Sequence, residues 1–352
     1  MNEMRSSRPF SLRSHQLTRR EFAKQVVCAS ASVALRQGQE SAKEIQIPVS
    51  LIKASDRASG LRAVVRALGP FSFDGKDVYL KGNFNSADAY PATTHPETLR
   101  VVVELLREGK CGRVLLAERS GMGSTRAIWD RLGISELAED LGLALLALDD
   151  LTAEDWRKEE IPESHWRQGV ELPRFLNRDT CVVQICNLKT HRFGGQFSAS
   201  LKNSIGLIAK HSHAGAPYNY MEELHGSTSQ RLMIAEVNQV YKPQLIVVDA
   251  LQVFVNGGPE AGELASPGLF LASGDRVAAD AAGFALLRHH GAGPALGRSV
   301  VFEFEQIKRA VELDLGAKSG KEVQFLTRDT ESENIASQLK AILTEMPAED
   351  KK

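Results

Sequence analysis

From Ile45 onward, short apolar runs alternate with stretches in which apolar positions return every three or four residues. The first pattern is that of buried strands and the second that of amphipathic helices. It predicts strands at 46–52, 78–81, 114–117, 143–148, 181–186, 245–248, 268–272 and 323–326. Between them it predicts helices at 59–67, 96–107, 135–141, 198–208, 229–240, 276–289 and 303–313. Pro96 at the start of the second helix and Gly109 just beyond it follow the usual Pro/Gly asymmetry. Several strands are apolar on both faces, as in sheets covered on both sides. The expected fold class is therefore α/β, a largely parallel, helix-covered sheet, forming a single domain over 41–347. The charged segment near 150–180 breaks the rhythm and carries Trp156 and Trp166; it reads as an irregular insertion or a lid.

In open α/β sheets ligands bind beyond the carboxyl ends of the strands, so the residues that follow each apolar run are the place to look for chemistry. Those residues are Lys81-Gly82-Asn83, then Glu118 ahead of Arg119 to Ser124, Lys189-Thr190-His191, Asp249, and Ser273-Gly274-Asp275. Five polar endings converging on one rim would make a site, although Asp275 has the simpler reading of a helix N-cap. Residues 180–221 sharpen this: they hold no Asp or Glu, yet contain Lys189, Arg192, Lys202, Lys210, His191, His211 and His213. Such a stretch creates a local positive potential. Gly194-Gly195 permits close backbone approach, and a helix opening near Ser198 would turn free N–H groups toward an anion. The expected ligand is a small carboxylate or phosphate, against the plainer alternative of a basic surface loop.

His211 and His213 would face one side of a strand, and with His191 or His225 and a carboxylate could hold a divalent metal; solvated loop histidines are the alternative. His289-His290, closing a helix, is read as structural. No complete Rossmann, P-loop, Gly-x-Ser-x-Gly or His-Glu-x-x-His pattern occurs.

Charge is uneven. Residues 1–40 carry seven Lys/Arg and three Asp/Glu of the chain's 43 and 44, which leaves the body at 36 against 41, or −5. A mildly acidic body argues against nucleic acid as a partner. No run approaches the roughly 20 apolar residues of a membrane-spanning helix, so an integral membrane protein is not expected. Of Cys28, Cys111, Cys181 and Cys186, the last two flank an apolar run and read as buried thiols; a bridge along one strand would be geometrically poor. Thr18-Arg19-Arg20-Glu21-Phe22 resembles the twin-arginine export motif, followed by a weakly apolar stretch at 26–35. Residues 1–40 are expected to be a signal and linker, the translocation machinery a partner, and the destination periplasmic or extracytoplasmic.

The chain resembles the domain-of-unknown-function family 362 over about residues 75–290. The motifs that carry the likeness are Lys81-Gly-Asn83, Thr94-His95-Pro96, Leu188-Lys-Thr-His191, Leu201-Lys-Asn203-Ser-Ile-Gly206, Val247-Val-Asp249-Ala, Gly257-Gly-Pro259 and Ser273-Gly-Asp275 running to Asp280. The resemblance implies a fold and a site but no reaction. Some relatives add ferredoxin-like cysteine clusters that this chain lacks, so no iron–sulfur cluster is expected. His191, Lys189 and Asp249 are the candidate catalytic residues. Lys81, Asn83, Lys202, Asn203 and Asp275 are the candidates for ligand binding, and His211 and His213 for a metal. Asp280, inside an Ala-rich helix, either has a basic partner or is exposed. Three functions remain open: an enzyme on a small anion, with or without a metal to assist it; a carrier of a metal or ligand without turnover; and an accessory partner of an exported redox complex.

Overall fold

In the computed structural model, residues 45–213 and 215–347 are described, and from Gln46 on their elements form one compact unit. The signal expected at 1–40 lies outside the described residues. The chain runs β1 (Ile47–Lys53), α1 (Arg57–Ala67), β2 (Val78–Lys81), α2 (Pro96–Glu108), β3 (Val114–Glu118), α3 (Thr125–Arg131), α4 (Ile134–Leu141) and β4 (Ala144–Ala147). It continues through β5 (Trp156–Glu159), β6 (Val170–Pro173), β7 (Val182–His191), β8 (Gln196–Ser198), α5 (Ser200–Asn203), α6 (Tyr220–Gly226), α7 (Gln230–Glu236) and β9 (Pro243–Gly257). The last elements are β10 (Gly262–Ala265), β11 (Leu269–Ser273), α8 (Arg276–His289), α9 (Pro294–Gly297), α10 (Glu305–Glu312), β12 (Val323–Leu326) and α11 (Thr330–Leu343).

The main sheet has the order β12-β1-β11-β9-β7-β2-β3-β4, with β10 added to β9 and β8 to β7. Strands β9, β7, β2, β3 and β4 are mutually parallel; β11 runs against both β9 and β1. The α/β class and the mostly parallel, helix-covered sheet are as expected. Helices α1 to α4 pack on one face through Leu61, Val64, Leu99, Val102, Trp129 and Leu137. Helices α5, α7, α8, α10 and α11 pack on the other, with Leu201, Ile234, Phe284, Ile307 and Leu339. Helix starts are set by side-chain caps: Asp56 for α1, His95 ahead of Pro96 for α2, and Asp275 for α8.

The 150–180 segment is less irregular than its sequence suggests. β5 and β6 pair antiparallel, and Trp156 and Trp166 are buried in the core. Cys181 and Cys186 are buried and, with Cys111, free of disulfides; burial pushes the Cys186 thiol far above its usual range. Among the described residues no helix is long and apolar enough to cross a membrane.

Candidate anion-binding site

Because β2, β3 and β7 are parallel, their carboxyl ends open on the same edge, and a cavity of about 530 Å³ lies there. Six of the expected residues line it together: Lys81 and Asn83 after β2, Lys189 and His191 at the end of β7, and Lys202 and Asn203 on α5. Glu118 and Arg119 at the end of β3 join them. Five lining residues are Lys or Arg and three are Glu, so with neutral imidazoles the wall carries a surplus of two positive charges.

The cations are not equivalent. Lys81 is buried, and its Nζ donates to Glu118 Oε2 at 2.8 Å, the Gly82 carbonyl at 2.6 Å and Asn203 Oδ1 at 3.0 Å. Glu118 also accepts the Phe84 and Arg119 backbone N–H groups. Burial pushes both toward their neutral forms, against their mutual attraction. Lys81 is thus committed to Glu118 and fixes the floor of the cavity. Gly206 makes room for this pair: a Cβ there would stand 2.6 Å from Glu118 Oε1 and 2.8 Å from Lys81 Nζ. Gly206→Ala is expected to cost about 1–3 kcal/mol, read as a lower thermal midpoint; an unchanged midpoint would show that the pair can move aside.

Lys189 and Lys202 have no carboxylate partner among the described residues. Lys189 is 2% exposed and donates only to the Ala92 carbonyl. Burial, then the charges of Lys202 and Lys81, lowers it to about 7. Lys202 is half-buried, passes beneath Gly195 and makes no hydrogen bond or ion pair. Burial, then Arg119 and Lys81, lowers it to about 8. The Arg119 guanidinium donates to the Ile208, Ile205 and Ser120 carbonyls, and Glu118 and Asp149 face its charge. His191 is buried with an unpartnered Nδ1, and burial with the charges of Lys202 and Lys189 holds its imidazole neutral. An unsatisfied buried donor or acceptor is costly. A small anion placed between Lys189 and Lys202 would relieve all three groups.

The short α5 is held from below. Ser200 Oγ donates to Gln184 at 2.5 Å, Ser204 to Asn238 at 2.7 Å, and Asn238 to the Leu201 carbonyl at 3.1 Å. Arg276 braces this layer through the Asn238 and Tyr241 carbonyls. The polar side chains bond sideways, and the helix expected over 198–208 stops after one turn and continues as a 3-10 turn over Ser204–Leu207. Its free N–H groups do not face the cavity: Asp280 of α8, fully buried, accepts Ser200 N–H at 2.7 Å and Leu201 N–H at 3.2 Å. The anion at this helix start belongs to the protein itself.

The family model of the domain of unknown function DUF362 matches residues 78–285, more than half of the chain. The chain belongs to this family. No curated protein and no solved structure matches it. The DUF362 segment contains both lysines, His191, α5 and Asp280, and thus nearly the whole cavity wall.

Four expected site residues of the DUF362 segment lie elsewhere. Asp249 points to the opposite side of the sheet from α5, where it accepts from Arg57, from Thr98 Oγ1 at 2.7 Å and from Tyr90 OH at 2.7 Å. It is a tied structural carboxylate and does not line the cavity. Asp275 sits on the far rim: β11 is antiparallel, so Ser273 pairs with Ile246 near the start of β9. There Asp275 caps α8 through Ala278 N–H and receives Ala317 N–H. His211 and His213 do not converge either. His211 bridges Asn219 on a separate surface pocket, while His213 bonds Glu171 at 2.9 Å and stacks on Trp156. Among the described residues no group of three or more His, Cys, Asp or Glu could hold a metal. Among the lining residues that sequence reasoning missed are Met221 and Glu222 of α6, Glu260 and Phe193; Met122 lies within the run Arg119 to Ser124 that it named. The missed residues reach the cavity from distant parts of the chain, and His225 beside them had been noticed.

Proposed function

We propose that this DUF362 protein is exported and binds a small anionic ligand between Lys189 and Lys202, where proton transfer to or from the bound ligand makes it an enzyme. One observation carries the reading: two ammonium groups with no bonded acidic partner face one cavity, at about 7 and about 8, where they exchange protons near neutrality. Uncompensated charge of this kind destabilises a fold and is retained where binding repays it. Lys189, more deeply buried and nearer to 7, is the acid–base group. Lys202 supplies the charge that holds the anion. His191 is neutral in the free protein, held so by burial and then by the charges of the two lysines; an anion that neutralises the lysines removes the second cause and raises its basicity. Asn83 lines the same wall and supplies a neutral amide for orientation.

Thermal shift against orthophosphate, pyrophosphate, sulfate, acetate, succinate and citrate tests the reading. At least one is expected to stabilise the protein, with the effect lost in Lys202→Met. A panel without effect would contradict it. Export is tested separately. Arg19→Lys together with Arg20→Lys is expected to leave the full-length chain in the cytoplasm, read by fractionation, because the machinery reads the paired guanidiniums. Unchanged export would dismiss the signal.

A further inference from the structure

The cavity is far larger than a small anion, and apolar side chains share its wall with the polar ones. Clefts of several hundred cubic ångströms bury organic ligands through apolar walls and a few placed polar groups. Here Lys81, Arg119 and Lys189 are buried in the wall, which Phe84, Ile205, Met221 and Pro259 share. The rim is more telling. Among the described residues five large apolar side chains are exposed: Ile45, Met122, Phe193, Leu264 and Met346. Ile45 and Met346 stand at the ends of the described chain and Leu264 on the edge strand β10. The remaining two, Met122 at 60% and Phe193 at 47%, both line this cavity.

Neither is a loose side chain on a frayed loop. Met122 donates its backbone N–H to the Asn85 carbonyl at 3.0 Å, in the turn between β3 and α3. Phe193 lies under the Arg192 guanidinium at 4.5 Å and meets the His191 ring edge-on at 5.8 Å. The two come from separate turns and both line this opening. Apolar groups left in water at the mouth of a cation-lined cavity mark a contact for a ligand part that leaves water with them. Methionine's unbranched thioether adapts to varied shapes.

We propose that the ligand is an amphiphilic anion, with a single phosphate or carboxylate head on Lys189 and Lys202 and an apolar acyl or aryl body that packs between Met122 and Phe193. This rests on the anion reading above and adds the body that the head carries. The test is calorimetric titration at pH 7 with orthophosphate and methyl, butyl, hexyl and phenyl phosphates, alongside acetate, butyrate, hexanoate and benzoate, all below micellar concentrations. Within the series whose head is preferred, affinity is expected to rise about twofold to fourfold per added methylene. That slope is expected to collapse in Met122→Ser with Phe193→Ser, and Lys202→Met is expected to weaken every member. Equal affinity along both series, with the simple anions still bound, would overturn the amphiphile and leave the anion site standing. Tight hexyl binding that survives Lys202→Met would overturn the paired head and body. If no member of either series binds, both readings fall.

Discussion

Lys189→Met is expected to weaken anion binding at pH 7 by about a hundredfold, or about 2.7 kcal/mol, while making the ligand-free protein more stable. A charge-assisted contact in such a site carries that much, and Lys189 is buried there with no acid bonded to it. The gain in stability follows from the sign of the proton linkage. Lys189 falls from 10.5 in the unfolded chain to about 7 in the fold. Between those values the unfolded chain holds a proton that the native state lacks, so stability rises with pH across the window. Below 7 the whole penalty of burying the ammonium is present. Methionine removes it, so the variant's advantage, about 1–2 kcal/mol, is largest near pH 6 and fades toward pH 10. Thermal melts across that range read it. A variant that binds less and is also less stable at every pH would make Lys189 structural.

Asp280→Ala is expected to cost about 3–5 kcal/mol in urea unfolding, since it strands the buried Ser200 and Leu201 N–H groups and removes one of the carboxylates that face the buried Arg276. Asp280→Asn keeps one carbonyl acceptor and is expected to lose less. Burial raises Asp280 to about 7, although the two backbone donors favour its charged form. The loss also reaches the site, because Asp280 holds the start of α5 and α5 carries Lys202 and Asn203. A cost below about 1 kcal/mol for the alanine variant would mean that α5 is held by its side-chain network alone.

Much of this was legible in the chain. β2, β12 and α8 fall on the residues that periodicity gives, because their apolar patterns begin and end sharply. The cavity was legible too, since an acid-free stretch and the polar endings of parallel strands meet by geometry. Four things were not. β7 runs on from Cys186 to His191, and there buried polar residues replace the apolar run that marks a strand. The direction of β11 is not written in its own residues, so Asp275 was assigned to the wrong rim. Asp249 was expected just beyond a strand, but β9 runs on to Gly257 and holds it mid-strand, with its side chain turned away from α5; Arg57, its partner, lies 192 residues away. Helix α11 has apolar residues at helical spacing, but a long polar face hides them, and its Asp329 cap with Ser332 was the available signal.

The central claim is that depressed lysines receive the anion, and proton uptake on binding tests it most directly. Titration of the preferred simple anion at pH 8, in buffers of different ionisation enthalpy, is expected to show uptake of about one proton per ligand, because at that pH Lys189 is mostly neutral and Lys202 half-protonated before the anion recharges them. At pH 5.5, with both already charged, uptake by these lysines is expected to vanish, and in Lys189→Met with Lys202→Met it is expected to vanish at pH 8 as well. Binding at pH 8 with no proton taken up, or with the same uptake in the double variant, would contradict the account.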